Sequence, residues 1–419
     1  MPASVSASLA PGIAARLRAL DALAAVLDRR QPLDAALAAP QPSLSAADRA
    51  FVQLLVNTAL RRLGQLDLLI NQFLESSLPP GGRMVRHVLR LGLSQLLFLQ
   101  TPPHAAVHSS VELAKAAGLQ HFARLVNALM QRGVREGAAL AAAQDAALLN
   151  TPGWLWESWT AEYGEAQARL IAESNLGEPP LDLTVKGEAE AWARRLEGEA
   201  IPPCTVRLHR AGNVPGLPGY AQGEWWVQDA AASLPARLLM EAMGEAQGAR
   251  VVDLCAAPGG KTAQLCLSGA EVTAVDISEN RMARLKENLA RLKLRVHCVV
   301  ADAARWQPDF PPDAILLDAP CSATATIRRH PDIARHRTPE DVQRLAALQA
   351  KLLRHAFSLL KPGGMLCYAV CSIQREEGED QVKQMVHDNP LAKIYKTIPV
   401  LSALGVGDGF YIALLTKES

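Results

Sequence analysis

Cysteine is scarce and unpatterned in this chain: seven residues in 419, an odd count with no Cys-x-x-Cys spacing. That excludes the disulfide framework of a small secreted domain and the usual zinc-binding spacings. Free thiols fit a reducing compartment, so a cytoplasmic protein holding no metal is expected. No apolar run approaches the roughly 20 residues that span a bilayer. The opening residues lack the apolar core of a secretory signal, although Arg16 and Arg18 precede the first acid, Asp21, faintly as in a transit peptide. An excess of one charge is also missing. With 43 Lys/Arg against 42 Asp/Glu the formal net charge is +1, so any basic footprint for a nucleic acid must be local. What is present is ordinary globular material, 49% hydrophobic and 20% charged, and 419 residues exceed one compact core. Two or three domains are expected.

Residues 1 to 140 read as a helical bundle. Leu17, Leu20, Leu23 and Leu27 share one face of a segment from Ile13 to Arg30. Ser45 followed by Asp48 resembles a capping box opening a helix through Leu63. Further helices are predicted from Arg83 to Leu99, from Pro103 to Gly118, and from His121 to Arg135. This segment carries 14 Lys/Arg against 8 Asp/Glu, and Arg49, Arg61, Arg62, Arg83, Arg86, Arg90, Arg124, Arg132 and Arg135 hold most of the excess. As a set they favour RNA phosphates; singly each reads as solvated surface. The run Arg90-Leu-Gly-Leu-Ser-Gln-Leu-Leu, then Pro103-His-Ala-Ala-Val-His108, Val111-Glu-Leu-Ala-Lys115 and Arg124-Leu-Val-Asn127, resembles the RNA-binding helical domain of the antitermination factor NusB.

Residues 141–229 suggest a small α+β linker domain. Leu181 to Val185 and Thr205 to Leu208 read as strands around a helix at Glu188 to Leu196, and Pro215, Gly216, Pro218 and Gly219 mark a turn-rich connection. Trp154, Trp156, Trp159 and Tyr163 read as core rather than as a platform for bases. In residues 230–419 strands alternate with helical patterns. Strands are predicted at Arg250–Leu254, Glu271–Val275, Val296–Val300, Ala314–Leu317 and Gly364–Val370, with two more near Ala392–Pro399 and Phe410–Thr416. The pattern is an α/β doubly wound, Rossmann-like parallel sheet. Thr338, Pro339, Glu340 and Asp341 should start one crossover helix.

The first of these strands runs into Val251-Val-Asp-Leu-Cys-Ala-Ala-Pro-Gly-Gly-Lys-Thr262, a glycine turn that is neither Gly-x-Gly-x-x-Gly nor a phosphate loop, since Cys255 stands where the latter needs glycine. Asp253, Asp276, Asp302 and Asp318 close four successive strands at the ligand-binding edge. Acids so placed suit a cationic, phosphate-free nucleoside such as S-adenosylmethionine, with Asp276 at the ribose and Asp302 at the adenine edge. Asp318-Ala-Pro-Cys321-Ser322 and Tyr368-Ala-Val-Cys371-Ser372 end adjacent strands at that same edge, whereas Cys367 lies mid-strand as core.

Taken in order, Asp253 to Thr262, Asp318 to Ser322, Cys371-Ser372 and Asp408-Gly-Phe410 resemble the motifs of RNA cytosine-C5 methyltransferases. With the NusB-like front, the chain is similar throughout to the bacterial 16S ribosomal RNA methyltransferase B family, also called Sun or Fmu. The resemblance implies a class I methyltransferase fold, S-adenosyl-L-methionine as cofactor, 16S ribosomal RNA as partner and a monomer. It implies Cys371 as nucleophile, Cys321 in product release, and cofactor contacts from Cys255, Ala256, Ala257, Pro258, Gly259, Gly260 and Lys261 and at Asp276, Asp302 and Asp318. Val370 departs from the family, which usually has threonine before the nucleophile. The chemistry explains the thiol: carbon 5 of cytosine is a poor nucleophile until a thiolate adds at carbon 6 and makes an enamine. Asp318 can then hold the amino group and N3, and the base must be unpaired or flipped out. Arg328, Arg329 and His330 follow the Cys321 loop and should grip RNA phosphates, with a structural salt bridge as the alternative. Two rival functions remain. An RNA amino-group methyltransferase would need an aromatic residue where Cys321 stands. A non-catalytic RNA-binding assembly factor would have no use for four intact strand-end acids.

Overall fold

The computed structural model describes residues 12–38, 44–79, 81–209, 212–401 and 407–418. The chain divides into two compact units, one of Met1–Gly177 with His330–His336, the other of Glu178–Arg329 with Arg337–Ser419. The boundaries expected at residues 140 and 229 therefore move. Helices beyond residue 140 stay with the bundle, and the small sheet joins the large one in a single unit.

The first unit runs through α1 (Ile13–Arg29), α2 (Leu33–Ala38), α3 (Ala46–Arg61), α4 (Leu63–Phe73), α5 (Arg83–Leu97), α6 (Pro103–Ala116), α7 (Ala123–Ala142), α8 (Ala146–Asn150), α9 (Gly153–Tyr163) and α10 (Glu165–Ser174). Its core is aliphatic: Leu20, Leu23, Val26, Leu55, Leu66, Leu69 and Leu89 are all buried, each contributing about 1.5–3 kcal/mol of transfer energy. The capping box forms as the sequence requires, Asp48 N donating to Ser45 Oγ at 3.1 Å and Ser45 N to Asp48 Oδ2 at 3.3 Å. The helix it opens stops at Arg61 rather than Leu63, with Arg62 as its cap, and α4 starts immediately after. Trp159 is core in α9.

Most of the arginines weighed for RNA are spent inside this unit. Arg90 makes a two-pronged pair with Asp67 (2.9 and 2.7 Å), Arg86 reaches Asp67 and Asn71, Arg62 bonds Gln65 and Leu176 O, Arg49 caps Leu44 O, and Arg61 is buried. Arg83, Arg124 and Arg135 stay exposed. The segment 330–336, with the short α15 (Ile333–His336) and counted separately from its chain neighbours, completes this unit. Asp332 Oδ2 accepts Leu33 N at 3.0 Å, and Arg335 donates to Asn150 O at 2.9 Å.

In the second unit β1 (Leu181–Val185), α11 (Ala189–Leu196), β2 (Glu199–Ile201), β3 (Thr205–Leu208) and β4 (Trp225–Val227) make an antiparallel sheet of order β2-β3-β1-β4. Leu183, Val185, Val206 and Trp225 pack on Trp192 and Leu196 of α11. The larger sheet is built from β5 (Arg250–Leu254), β6 (Glu271–Asp276), β7 (His297–Val300), β8 (Ala314–Asp318), β9 (Met365–Val370), β10 (Ala392–Val400) and β11 (Phe410–Lys417). Its order is β10-β11-β9-β8-β5-β6-β7. β11 pairs antiparallel with both neighbours, so it alone runs against the other six. Among the helices, α12 (Leu234–Met243), α13 (Gly260–Leu267), α14 (Glu279–Arg291), α16 (Pro339–Leu359) and α17 (Glu379–Asp388) flank these strands. Residues of β8 and β9 are buried almost without exception, as strands covered on both faces require.

The chain leaves β5 for β6 and β7 on one side, then returns for β8 and β9 on the other. The strand order thus reverses between β5 and β8, where ligands of such sheets bind. The small sheet is fastened beside this crevice. Gly223 sits at φ +74, where a Cβ would lie 2.0 Å from the Arg291 carbonyl oxygen. That close approach lets Arg291 Nη1 donate to Tyr220 O at 2.8 Å and Trp225 O at 3.1 Å.

Candidate active site

The thiols meet because of strand register. β8 and β9 are parallel neighbours with Asp318 opposite Ala369, so Cys321 and Cys371 leave the sheet at the same level. Their sulfurs stand 3.5 Å apart, and both side chains are half-buried. Hydrogen bonding to Cys371 and then burial push the Cys321 thiol well above its ordinary value, with the negative charge of Glu377 adding to the effect. That direction keeps Cys321 as the neutral thiol.

The glycine turn supplies a cation to the same place. Lys261, the second residue of α13, puts Nζ 2.7 Å from Asp318 Oδ2 and 5.2 Å from the centroid of the Phe410 ring. Burial opposes its charge, but attraction to Asp318 and to Cys371 outweighs it and raises the Lys261 pKa. Ammonium, carboxylate and thiol pair are thus gathered at the C-terminal ends of β5, β8 and β9. A cavity of about 580 Å³ is lined by Lys261 and Asp318 of this cluster together with Pro258, Gly259, Tyr220 and Trp226.

The other acids differ in environment. Asp253 is wholly buried; Oδ2 accepts the Thr262 hydroxyl at 2.6 Å, while Oδ1 meets no donor. Burial pushes its carboxyl up to about 7. Asp276 accepts Ala257 N at 3.1 Å and Ser278 N at 2.9 Å, which clamps the turn onto β6. Asp302 lies two residues beyond β7 rather than ending it; it is exposed and accepts Ala304 N at 2.9 Å. Gly259, at φ +101, lets the turn pass over Leu285, whose Cγ a Cβ would approach to 2.9 Å. Cys255 faces these carboxylates, but burial pushes its thiol up to about 12, so it is an inert neutral group. Cys367 is core, its thiol likewise pushed up by burial.

The arginines expected at RNA phosphates are committed elsewhere. Arg329 Nε donates to Asp408 Oδ2 at 2.6 Å, its Nη2 bonds Asp229, and its Nη1 donates to Pro180 O at 3.0 Å. Arg328 pairs with Asp408 at 3.2 Å. The structural salt bridge describes Arg328 and Arg329, because two buried carboxylates need these charges. His330 falls in the other compact unit. Glu377, bonded to Ser322 beside the thiols, stands in no sequence motif. The signal available was that a serine follows each cysteine.

A family model described as 16S rRNA methyltransferase RsmB/F matches residues 240–416, and the NusB family model matches residues 13–135. The ribosomal RNA small subunit methyltransferase B of Xanthomonas campestris is 37% identical, covering 98% of both chains. The chain belongs to this family. The Sodalis glossinidius relative of the same name is 38% identical over 96% of this chain and 98% of its own. The crystal structure of PH0851 has a similar fold, with a TM-score of 0.74 at 22% identity over 97% of this chain and 99% of that one. As a family member the protein is a methyltransferase, and its cofactor is S-adenosylmethionine. The crevice fits that cofactor: a glycine turn without side-chain bulk and an orphaned buried oxygen on Asp253 leave a polar cradle, and the acids Asp276 and Asp318 ending β6 and β8 suit a cation.

Proposed function

We propose that the protein methylates carbon 5 of a cytosine in 16S ribosomal RNA through a covalent adduct between Cys371 and carbon 6. The observation that carries this reading is the thiol pair, 3.5 Å from sulfur to sulfur, beside the Lys261–Asp318 ion pair. The Cys255–Lys261 turn with Asp276, Asp302 and Asp318 would hold S-adenosylmethionine, which supplies the methyl group as a cationic sulfonium. Cys371 adds as thiolate to carbon 6, which moves electron density onto carbon 5. Asp318 accepts a hydrogen bond from the amino group of the ring, and Lys261 keeps that carboxylate in place. Once carbon 5 carries its new methyl group, a water molecule takes its proton and the C–S bond breaks with the electron pair leaving on the Cys371 thiolate, which restores the aromatic ring. Cys321, held protonated, stands where a departing thiolate can take a hydrogen bond or proton. The cytosine must be out of a helix to reach these groups.

The roles separate cleanly by mutation. Cys371→Ala should abolish turnover and form no RNA–protein adduct on a denaturing gel, whereas Cys321→Ala should accumulate that adduct. Normal turnover by Cys371→Ala would instead favour methylation of an exocyclic amino group. Adduct found only in Cys371→Ala would reverse the two assignments.

A further inference from the structure

Beyond β8 and β9 the backbone ladder that aligns the two thiols runs out. Ala319 N to Ala369 O, 2.9 Å, is its last bond, and only a long contact from Ala325 N to Cys371 O, 3.4 Å, joins the loops further on. Something else must hold Cys321 and Cys371 in register. Directly behind them lies a block of polar side chains with almost no solvent access: Ser322, Thr324, Gln349, Ser372 and Glu377 are each 0% exposed.

Glu377 stands at the centre of that block. One carboxylate oxygen accepts Ser322 N at 2.8 Å and Gln349 Nε2 at 3.0 Å; the other accepts the Ser322 hydroxyl. Ser322 Oγ is in turn 3.1 Å from Ser372 Oγ, which also receives Gln374 N at 3.1 Å and lies 3.2 Å from Thr324 Oγ1. Gln349 fixes the cysteine loop from its other end by donating to Pro320 O at 2.9 Å. The Tyr368 hydroxyl, on β9, donates to the main-chain carbonyl of Glu377 and ties it to the strand that delivers Cys371. Of the residues adjoining the thiols, Ser322 is tied to this carboxylate directly, Ser372 through Ser322, and Pro320 through Gln349.

An apolar residue of similar volume would cost this interior less than an ionisable one. Buried ionisable groups beside a reactive site are retained where orientation is worth that cost. We propose that Glu377 is the positioning residue of the thiol pair, cross-linking the Cys321 and Cys371 loops through Ser322 and Ser372 so that Cys321 stays within proton-donating reach of Cys371. The inference rests on the covalent reading above. It adds a residue that touches neither RNA nor cofactor. The negative charge also helps keep the proton on Cys321, consistent with a donor role in release.

The test compares Glu377→Gln with wild type, with Cys321→Ala and Cys371→Ala alongside. The amide can still accept from Ser322 N and Gln349 through its oxygen, but it presents a donor to the Ser322 hydroxyl and carries no charge. The expected result is a kcat lowered about tenfold or more with KM changed less than about twofold, the size expected from one misdirected buried hydrogen bond. The covalent RNA adduct should persist as it does in Cys321→Ala, and Cys321, mapped by mass spectrometry, should alkylate with iodoacetamide at lower pH than in wild type. Glu377→Asp, which keeps the charge, should recover part of the kcat. Wild-type turnover with an unchanged alkylation profile would overturn the proposal. So would a loss of activity that only follows a fallen Tm, with no adduct and no shift of the profile. Turnover surviving in Cys371→Ala would instead remove the covalent reading itself, whatever Glu377→Gln does.

Discussion

Asp253 holds one carboxylate oxygen against the Thr262 hydroxyl and another against no donor, in a site without solvent. Burial raises its carboxyl from 3.8 to about 7. The folded protein keeps this proton up to about pH 7, whereas an unfolded chain loses it near the ordinary value. The group's contribution to stability therefore declines as pH rises through that interval and is level above it. Asp253→Asn removes the titration, so without cofactor its Tm should fall less between pH 5 and pH 8 than that of wild type; parallel curves would contradict the assignment. The same environment-by-environment reading separates the cysteines. Cys255 and Cys367 are silenced by burial, and Cys321 keeps its proton through its partner and its surroundings. Sequence distinguished Cys367 by its mid-strand position, but not Cys255, which shares the strand-end setting of Cys321 and Cys371.

At the scale of elements, the loops after β8 and β9 carry the two thiols, and two buried polar clusters brace them. One centres on Glu377. The other joins Arg329 to Asp229 and Asp408, with Asp408 N also donating to Asp229 Oδ1 at 3.0 Å. Replacing Arg329 by Ala leaves two largely buried carboxylates facing each other, and should cost about 3–5 kcal/mol of unfolding free energy measured in denaturant. Unchanged stability together with weakened RNA binding would return Arg329 to a phosphate-binding role. The ends of β6 and β8 were legible in sequence because a largely apolar run stops there at an acid, Asp276 and Asp318. The bracing clusters were not, because their members are remote in sequence: Arg329 lies 100 residues from Asp229 and 79 from Asp408, and Glu377 lies 55 from Ser322. An adjacent arginine pair beside a loop reads as a phosphate grip until the distant acids are placed. Helices α8–α10 went unpredicted for a local reason: α8 spans only five residues, and Trp154, Leu155, Trp156 and Trp159 of α9 form no single apolar stripe.

At the scale of the whole chain, both family resemblances were carried by short motifs, and the matches to residues 13–135 and 240–416 agree with them. The sheet order and the reversed β11 follow from long-range pairing that no local pattern encodes. The boundaries between units were equally hidden, since residues 330–336 leave the second unit's sequence to complete the first. The central claim is that sulfur from Cys371 bonds to the pyrimidine. RNA bearing 5-fluorocytidine tests it most directly on the intact protein, because fluorine cannot leave carbon 5 as a proton does and the adduct is trapped after methyl transfer. Tandem mass spectrometry of the trapped complex should find one methylated, fluorinated cytidine on the peptide containing Cys371. A bond to Cys321, or methylated product released with no trapped protein, would contradict the account.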